Sequence, residues 1–265
     1  MNRSFGLDLA GYSTNGSALA VAESDNARIT VTLLDGHCFC QAAEGTVLVA
    51  QKAAEEVECL RRLLARGKVL VDVPIDLQDL LRPEGATFIW QLTKRPVDRA
   101  FGALCPLADR IGSYVARMKN LWRILGAEMT GDPLGATLFE TYPAASLRLS
   151  DRCCEGYKGR CGFQAGVWTG SAAKTDIDQK KNNVFAKLLS ELKWLAEDGF
   201  QMNNDEFDAA ICALTGIGDQ LHGVELETEI NRQLDGKYCA PRGYVLLRHI
   251  PEAVNIVRKS FEKIL

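Results

Sequence analysis

The chain has 265 residues, of which 47% are hydrophobic and 25% charged, with a formal net charge of -3. That content suits one large soluble domain or two small ones, and it excludes a global basic field able to recruit nucleic acid or anionic lipid unaided. No apolar run approaches the roughly 18 residues of a membrane span, and the N-terminal segment has no secretory apolar region, so a cytoplasmic protein with no membrane partner is expected.

In chain order, residues 4–10 read as a short buried strand. Residues 17–23 and 28–34 follow, with Asp25 and Asn26 as a turn signal, which predicts a three-stranded antiparallel meander. Residues 46–65 have helical periodicity, with Val47, Leu48, Ala54, Val57, Leu60 and Leu64 on one side and Gly67 as the expected C′ stop. Residues 68–75 form a nearly continuous apolar strand, covered on both faces and reached by a parallel crossover.

Residues 76–95 are irregular. Residues 96–129 read as helix disturbed at Pro106, and 137–142 as a fifth strand stopped by Pro143. A loop over 151–170, rich in Gly and Cys, precedes helices over 174–197 and 204–214, the latter capped by Asn203 or Asn204. A late strand or arm over 239–248 and an amphipathic helix over 251–265 complete the reading. With no repeat or linker, one domain spans 1–265, with insertions around 76–130 and 148–172.

Nine cysteines are scattered without pairing rhythm. Reduced thiols are the expectation. Cys153, Cys154 and Cys161 lack the spacing of a zinc site. No G-x-x-x-x-G-K-[ST] loop, dinucleotide fingerprint or nucleophile elbow is present.

The acids are the informative feature. Asp8 interrupts the apolar run from Phe5 to Ala10, Asp72 the run from Val69 to Ile75, and Glu140 ends the run from Ala136. Asp205 and Asp208 open the apolar stretch up to Leu214. A carboxylate in a buried strand is costly unless compensated. Carboxylates on three strands and a helix point to one shared compensator, most simply a divalent metal. Each has a plainer alternative: Asp8 as a strand end or a partner for a buried Arg, Asp72 as a turn cap near Pro74 or a partner for Arg82, and Glu140 in a salt bridge. Asp205 and Asp208 share one helical face and would also complement the helix dipole.

The strand order, and the segments Phe5 to Gly11, Val71 to Ile75, Phe139 to Ala145 and Asp205 to Leu214, resemble signatures of a predicted RNase H-like nuclease family catalogued as domain of unknown function 429. Arg95 to Arg99 and Gly156 to Gly159 are similar to its secondary motifs. The resemblance spans about residues 4 to 248. It implies an α/β fold of the RNase H-like type: a mixed five-stranded sheet, its first three strands antiparallel, flanked by helices and carrying helical and loop insertions. It also implies catalytic Asp8, Asp72, Glu140, Asp205 and Asp208, with Asp8, Asp72, Glu140 and Asp208 as metal ligands.

Hard oxygen ligands without convergent histidines suit magnesium or manganese. Two such ions, about 3.5–4 Å apart, would activate water and stabilise the leaving oxygen of a phosphodiester. Tyr157, Lys158 and Arg160, with Arg95, are the expected contacts to a nucleic acid, DNA or RNA. The rival readings are an actin-like or sugar-kinase-like phosphotransferase holding Mg-nucleotide, and a non-catalytic scaffold of the same fold.

Overall fold

The computed structural model describes residues 2–264 except 13–15, 26–27, 41–43, 76, 78–79, 82, 84–85, 109–110, 129–137, 153–154 and 218–248. The expected strand over 239–248, Asp76 and Arg82 therefore lie outside the described residues.

Strand β1 (Asn2–Asp8) pairs antiparallel with β2 (Ala18–Asp25), and β2 with β3 (Arg28–Asp35). Helix α1 (Gly45–Leu64) crosses to β4 (Lys68–Val71), which lies parallel to β1. Helices α2 (Pro96–Ala100) and α3 (Gly112–Glu128) lead to β5 (Leu138–Glu140), parallel to β4. Helix α4 (Pro143–Leu149) follows, with Pro143 opening its first turn, where a missing N–H costs nothing.

The hairpin β6 (Arg160–Gln164) and β7 (Val167–Gly170) then forms a second sheet with β8 (Gln201–Asn203), spanned by α5 (Asp176–Glu191). Strand β8 runs directly into α6 (Asn204–Thr215), and β9 (Val254–Ser260) is the last described strand, followed by a single 3-10 turn over Phe261–Lys263.

The main sheet thus has six strands in the order β5-β4-β1-β2-β3-β9. Five were expected. The sixth is β9, parallel to β3, where an amphipathic helix was expected. Its alternation of buried Val254 and Ile256 with half-exposed Asn255 and Val257 has the period of two that marks a strand. Residues 160–170, expected as loop, form the hairpin instead, turning at Ala165 and Gly166 with φ 47 and 81.

Alternation assigns the two faces. Phe5, Leu7, Leu19, Val21, Val69 and Val71 pack under α1 and α3. Ala18, Ala20, Ala22 and the short side chains of α6 pack on the other face. A Cβ on Gly6 would stand 2.0 Å from the Ala209 carbonyl oxygen, so the glycine is what lets α6 lie directly on β1. Gly67 serves the same purpose. A Cβ there would lie 2.8 Å from the Arg3 carbonyl oxygen, and α1 ends at Ala65 in right-handed geometry with no left-handed glycine. The buried stripe of α1 runs through Ala53, Val57, Leu60 and Leu63; its first turn, with Val47 and Leu48, is exposed.

A buried ionic group braces this frame. Arg117 of α3 is fully buried, pairs with Glu56 of α1, and donates to the carbonyls of Ala10 and, at 3.2 Å, Phe39. No helix among the described residues is long and apolar enough to cross a membrane. Cysteines 38, 40, 59, 105, 161 and 212 are free thiols.

Candidate active site

Strand register brings the first acids together. Leu7 is paired with Val71, so Asp8 and Asp72 leave the ends of neighbouring parallel strands side by side. The Asp72 N–H donates to the Leu7 carbonyl at 3.1 Å, which fixes that placement. Asp8 stands opposite Ala18, on the face that α6 covers. The helix supplies the third acid: Asp208, 1% exposed, projects from its second turn. Asp205 sits one turn earlier and is half-buried, its Oδ1 accepting from Asn204 at 2.5 Å. The start of α6 is set by Asn203, whose side chain caps the N–H groups of Asp205 and Glu206 at 2.9 and 3.0 Å. Glu206 returns the bond to Asn203 and pairs with Arg258.

These acids repel one another in a partly dry setting. Burial, then Asp208, Asp72 and Asp205, hold the Asp8 carboxyl well above the usual range. Burial and Asp208 push Asp72 up to about 7. Asp205 and Asp208 are raised as well, in both cases chiefly by burial. The principal offsetting charge is Lys158, whose ammonium pairs with Asp208 Oδ2. Burial alone would lower Lys158, but Asp208, Asp8 and Asp72 outweigh it and raise it.

The expected loop over 151–170 reaches the core at Tyr157. Tyr157 is buried against Phe185 and Phe207, and its hydroxyl donates to Asp208 Oδ1 at 2.5 Å. It orients an acid and, though 4% exposed, borders the same cavity as Asp8 and Asp72; Lys158 is half-exposed beside it. Arg160 points away to a separate cleft shared with Arg258 and Glu206, although Asp205 borders both spaces.

Glu140 takes the salt-bridge alternative, and Arg95, expected at a phosphate, is its partner. Val71 pairs with Glu140, so Glu140 faces away from Asp72. There Arg95, 2% exposed, grips Glu140 with two nitrogens and Asp98 with two more polar contacts at 2.8 and 3.0 Å. The Tyr142 hydroxyl lies against both carboxylates, and the Ile75 N–H donates to Glu140 Oε2 at 2.9 Å. Both Glu140 oxygens are thereby committed, and Arg95 is closed to a phosphate. Through Ile75, Glu140 holds the loop that carries Asp72.

Asp8, Asp72, Asp205, Lys158 and Arg148 line a cavity of about 410 Å³. Its remaining wall is largely apolar and includes Phe101, Ile111 and Tyr114, which no sequence motif marked. Among the described residues, no three His, Cys, Asp or Glu side chains already stand as a ligand set; Asp208 is turned onto Tyr157 and Lys158. No family model, curated protein or solved structure matches the chain.

Proposed function

We propose that the chain is a metal-dependent phosphodiesterase acting on nucleic acid, built on an RNase H-like fold. The observation that carries this reading is the convergence of Asp8, Asp72 and Asp208, from β1, β4 and α6, with Lys158 as their principal counter-charge. The sheet supports it: an antiparallel β1-β2-β3 meander, parallel β4 and β5 beside β1, and a late helix across β1. Ligands of such open sheets bind beyond the carboxyl ends of the parallel strands, where these acids lie.

The donor set fits a hard divalent cation. Several oxygen donors, raised by burial and, for Asp8, Asp72 and Asp205, by neighbouring acids, share little positive charge, and Lys158 stands where a cation is needed. Asp8, Asp72 and Asp208 would hold magnesium or manganese, with Asp205 at the rim. Such an ion supplies charge neutralisation and lowers the pKa of water.

The chain's own residues do the rest. Tyr157 keeps Asp208 in one orientation, and Glu140 keeps the Asp72 loop in place through Ile75. Lys158, on a long half-exposed stem, can turn from Asp208 to a phosphate oxygen and balance charge that builds on the leaving group. Hydrolysis forms one P–O bond from water and breaks the bond to the leaving oxygen. The water gives up a proton to solvent, and the leaving oxygen takes one.

The test is thermal unfolding and oligonucleotide cleavage with magnesium, manganese or chelator, for wild type and Asp8→Asn. The expected result is cation-dependent stabilisation and cleavage, both lost in Asp8→Asn. A wild-type protein indifferent to all three conditions would sink the proposal.

A further inference from the structure

The cavity holding the acids has a second, chemically different part. Asp72 is followed at once by Val73 and Pro74, and these join Phe101, Leu104, Ile111 and Tyr114 in lining the same space. A phosphodiester centre needs acids and cations, and a bare sugar–phosphate backbone has no use for an apolar recess beside them. Leu104 is 54% exposed and stands at the rim of this space.

The recess is also braced. Arg148 donates to the Phe101 carbonyl, Lys94 to the Ala103 carbonyl at 2.6 Å, and Arg99 to the carbonyls of Gln91 and Lys94. Tyr114 stands against Gly11, where a Cβ would be 3.3 Å from the ring, so its position is tied to the loop that follows Asp8.

We propose that this recess is a base pocket, seating one unstacked nucleobase of the substrate with its phosphate over the acids. The inference rests on the phosphodiesterase reading. Three observations carry it. The volume of about 410 Å³ falls within the roughly 300–1,000 Å³ of small-ligand sites, which suits a single nucleotide and not a duplex. Aromatic and aliphatic walls suit a base, because every base presents a π-face whatever its sequence. Arg148 and Lys158 line the same cavity and offer cations for the attached phosphate. The substrate is then a strand end or single strand, because a paired base would first have to leave its stack.

The experiment titrates the full-length protein, with magnesium present, with adenosine 5′-monophosphate, ribose 5-phosphate and inorganic phosphate by calorimetry. The nucleotide should bind at least tenfold tighter than ribose 5-phosphate. Leu104→Gln, at the surface, should erode that difference several-fold while leaving ribose 5-phosphate affinity and unfolding temperature unchanged; Ile111→Ala should erode it as well, with a loss of stability because Ile111 packs partly buried against the core. Single-stranded oligonucleotide should be cleaved at least tenfold faster than the same sequence as duplex. Equal affinity for nucleotide and sugar phosphate, or equal cleavage of duplex, overturns the base pocket and leaves the metal-dependent reading standing. Absence of magnesium-dependent binding of any of the three phosphates, together with no cation effect on unfolding, overturns both.

Discussion

Val71 stands opposite Glu140 in the parallel ladder between β4 and β5, and this register alone separates Glu140 from Asp72. Side chains alternate between faces, so the residue beside Val71 is turned from the one beside Asp72. Glu140 consequently meets Arg95, while Asp72 meets Asp8 and the helix that bears Asp208.

Glu140→Gln should therefore act first on stability. It removes a charge from a buried group in which Arg95 serves Glu140 and Asp98 together. Breaking a buried pair by changing one partner costs about 3–5 kcal/mol, and urea unfolding of the variant should show a loss of that order. Residual cleavage per folded molecule should survive, in contrast to Asp8→Asn. Unchanged stability would show that the network braces nothing.

Lys158→Met tests whether Lys158 stands in for a cation. Without it, Asp208 has lost its ammonium partner in the metal-free protein. The half-exposed ammonium limits the loss to on the order of 1 kcal/mol. Magnesium should bind the variant more tightly, since no lysine competes for Asp208, while cleavage slows. Weaker magnesium binding, measured by calorimetry, would contradict the substitution of one cation for another.

The pH dependence has a definite sign. Burial and then Asp208 raise Asp72 from 3.8 to about 7, and Asp8 shifts the same way. Between those values the folded state binds more protons than the unfolded one. Stability of the metal-free protein should therefore fall as pH rises from about 4 through about 7. Chelator-treated wild type should show the slope in urea midpoints, and Asp8→Asn should flatten it. A slope of opposite sign would mean that other groups dominate.

Gly6→Ala places a methyl group 2.0 Å from the Ala209 carbonyl oxygen. Overpacking of this kind costs about 1–3 kcal/mol, and α6 must move off β1 to relieve it. Asp208 moves with the helix, so cleavage should drop further than the folded fraction explains. A variant as active as wild type per folded molecule would uncouple helix position from chemistry.

Much of the frame was legible in the chain. The apolar runs of β1 to β4 follow from local periodicity, and Asn203, one of two cap candidates, starts α6; on the expected side of α1 only Val57 and Leu60 are buried, while Val47, Leu48 and Ala54 are exposed. The acids were legible as anomalies because each interrupts or borders an apolar run. Arg117 carried a weaker signal of the same kind, a charge among Val115, Met118, Leu121 and Leu125, all of which are buried. Strand β9 and the 160–170 hairpin were missed because short alternating segments give little local evidence of which partner they will find.

Sequence alone determined which residues are costly to bury and which segments can form strands or helices, since both depend on side-chain chemistry and local spacing. Tertiary structure decided how those acids are shared. The β1–β4 register set Asp8 beside Asp72, and the missing side chain of Gly6 let Asp208 approach them. The β4–β5 register gave Glu140 to Arg95. A shift of one residue in either register would exchange those faces, and register is fixed by packing between distant segments, which no local pattern contains.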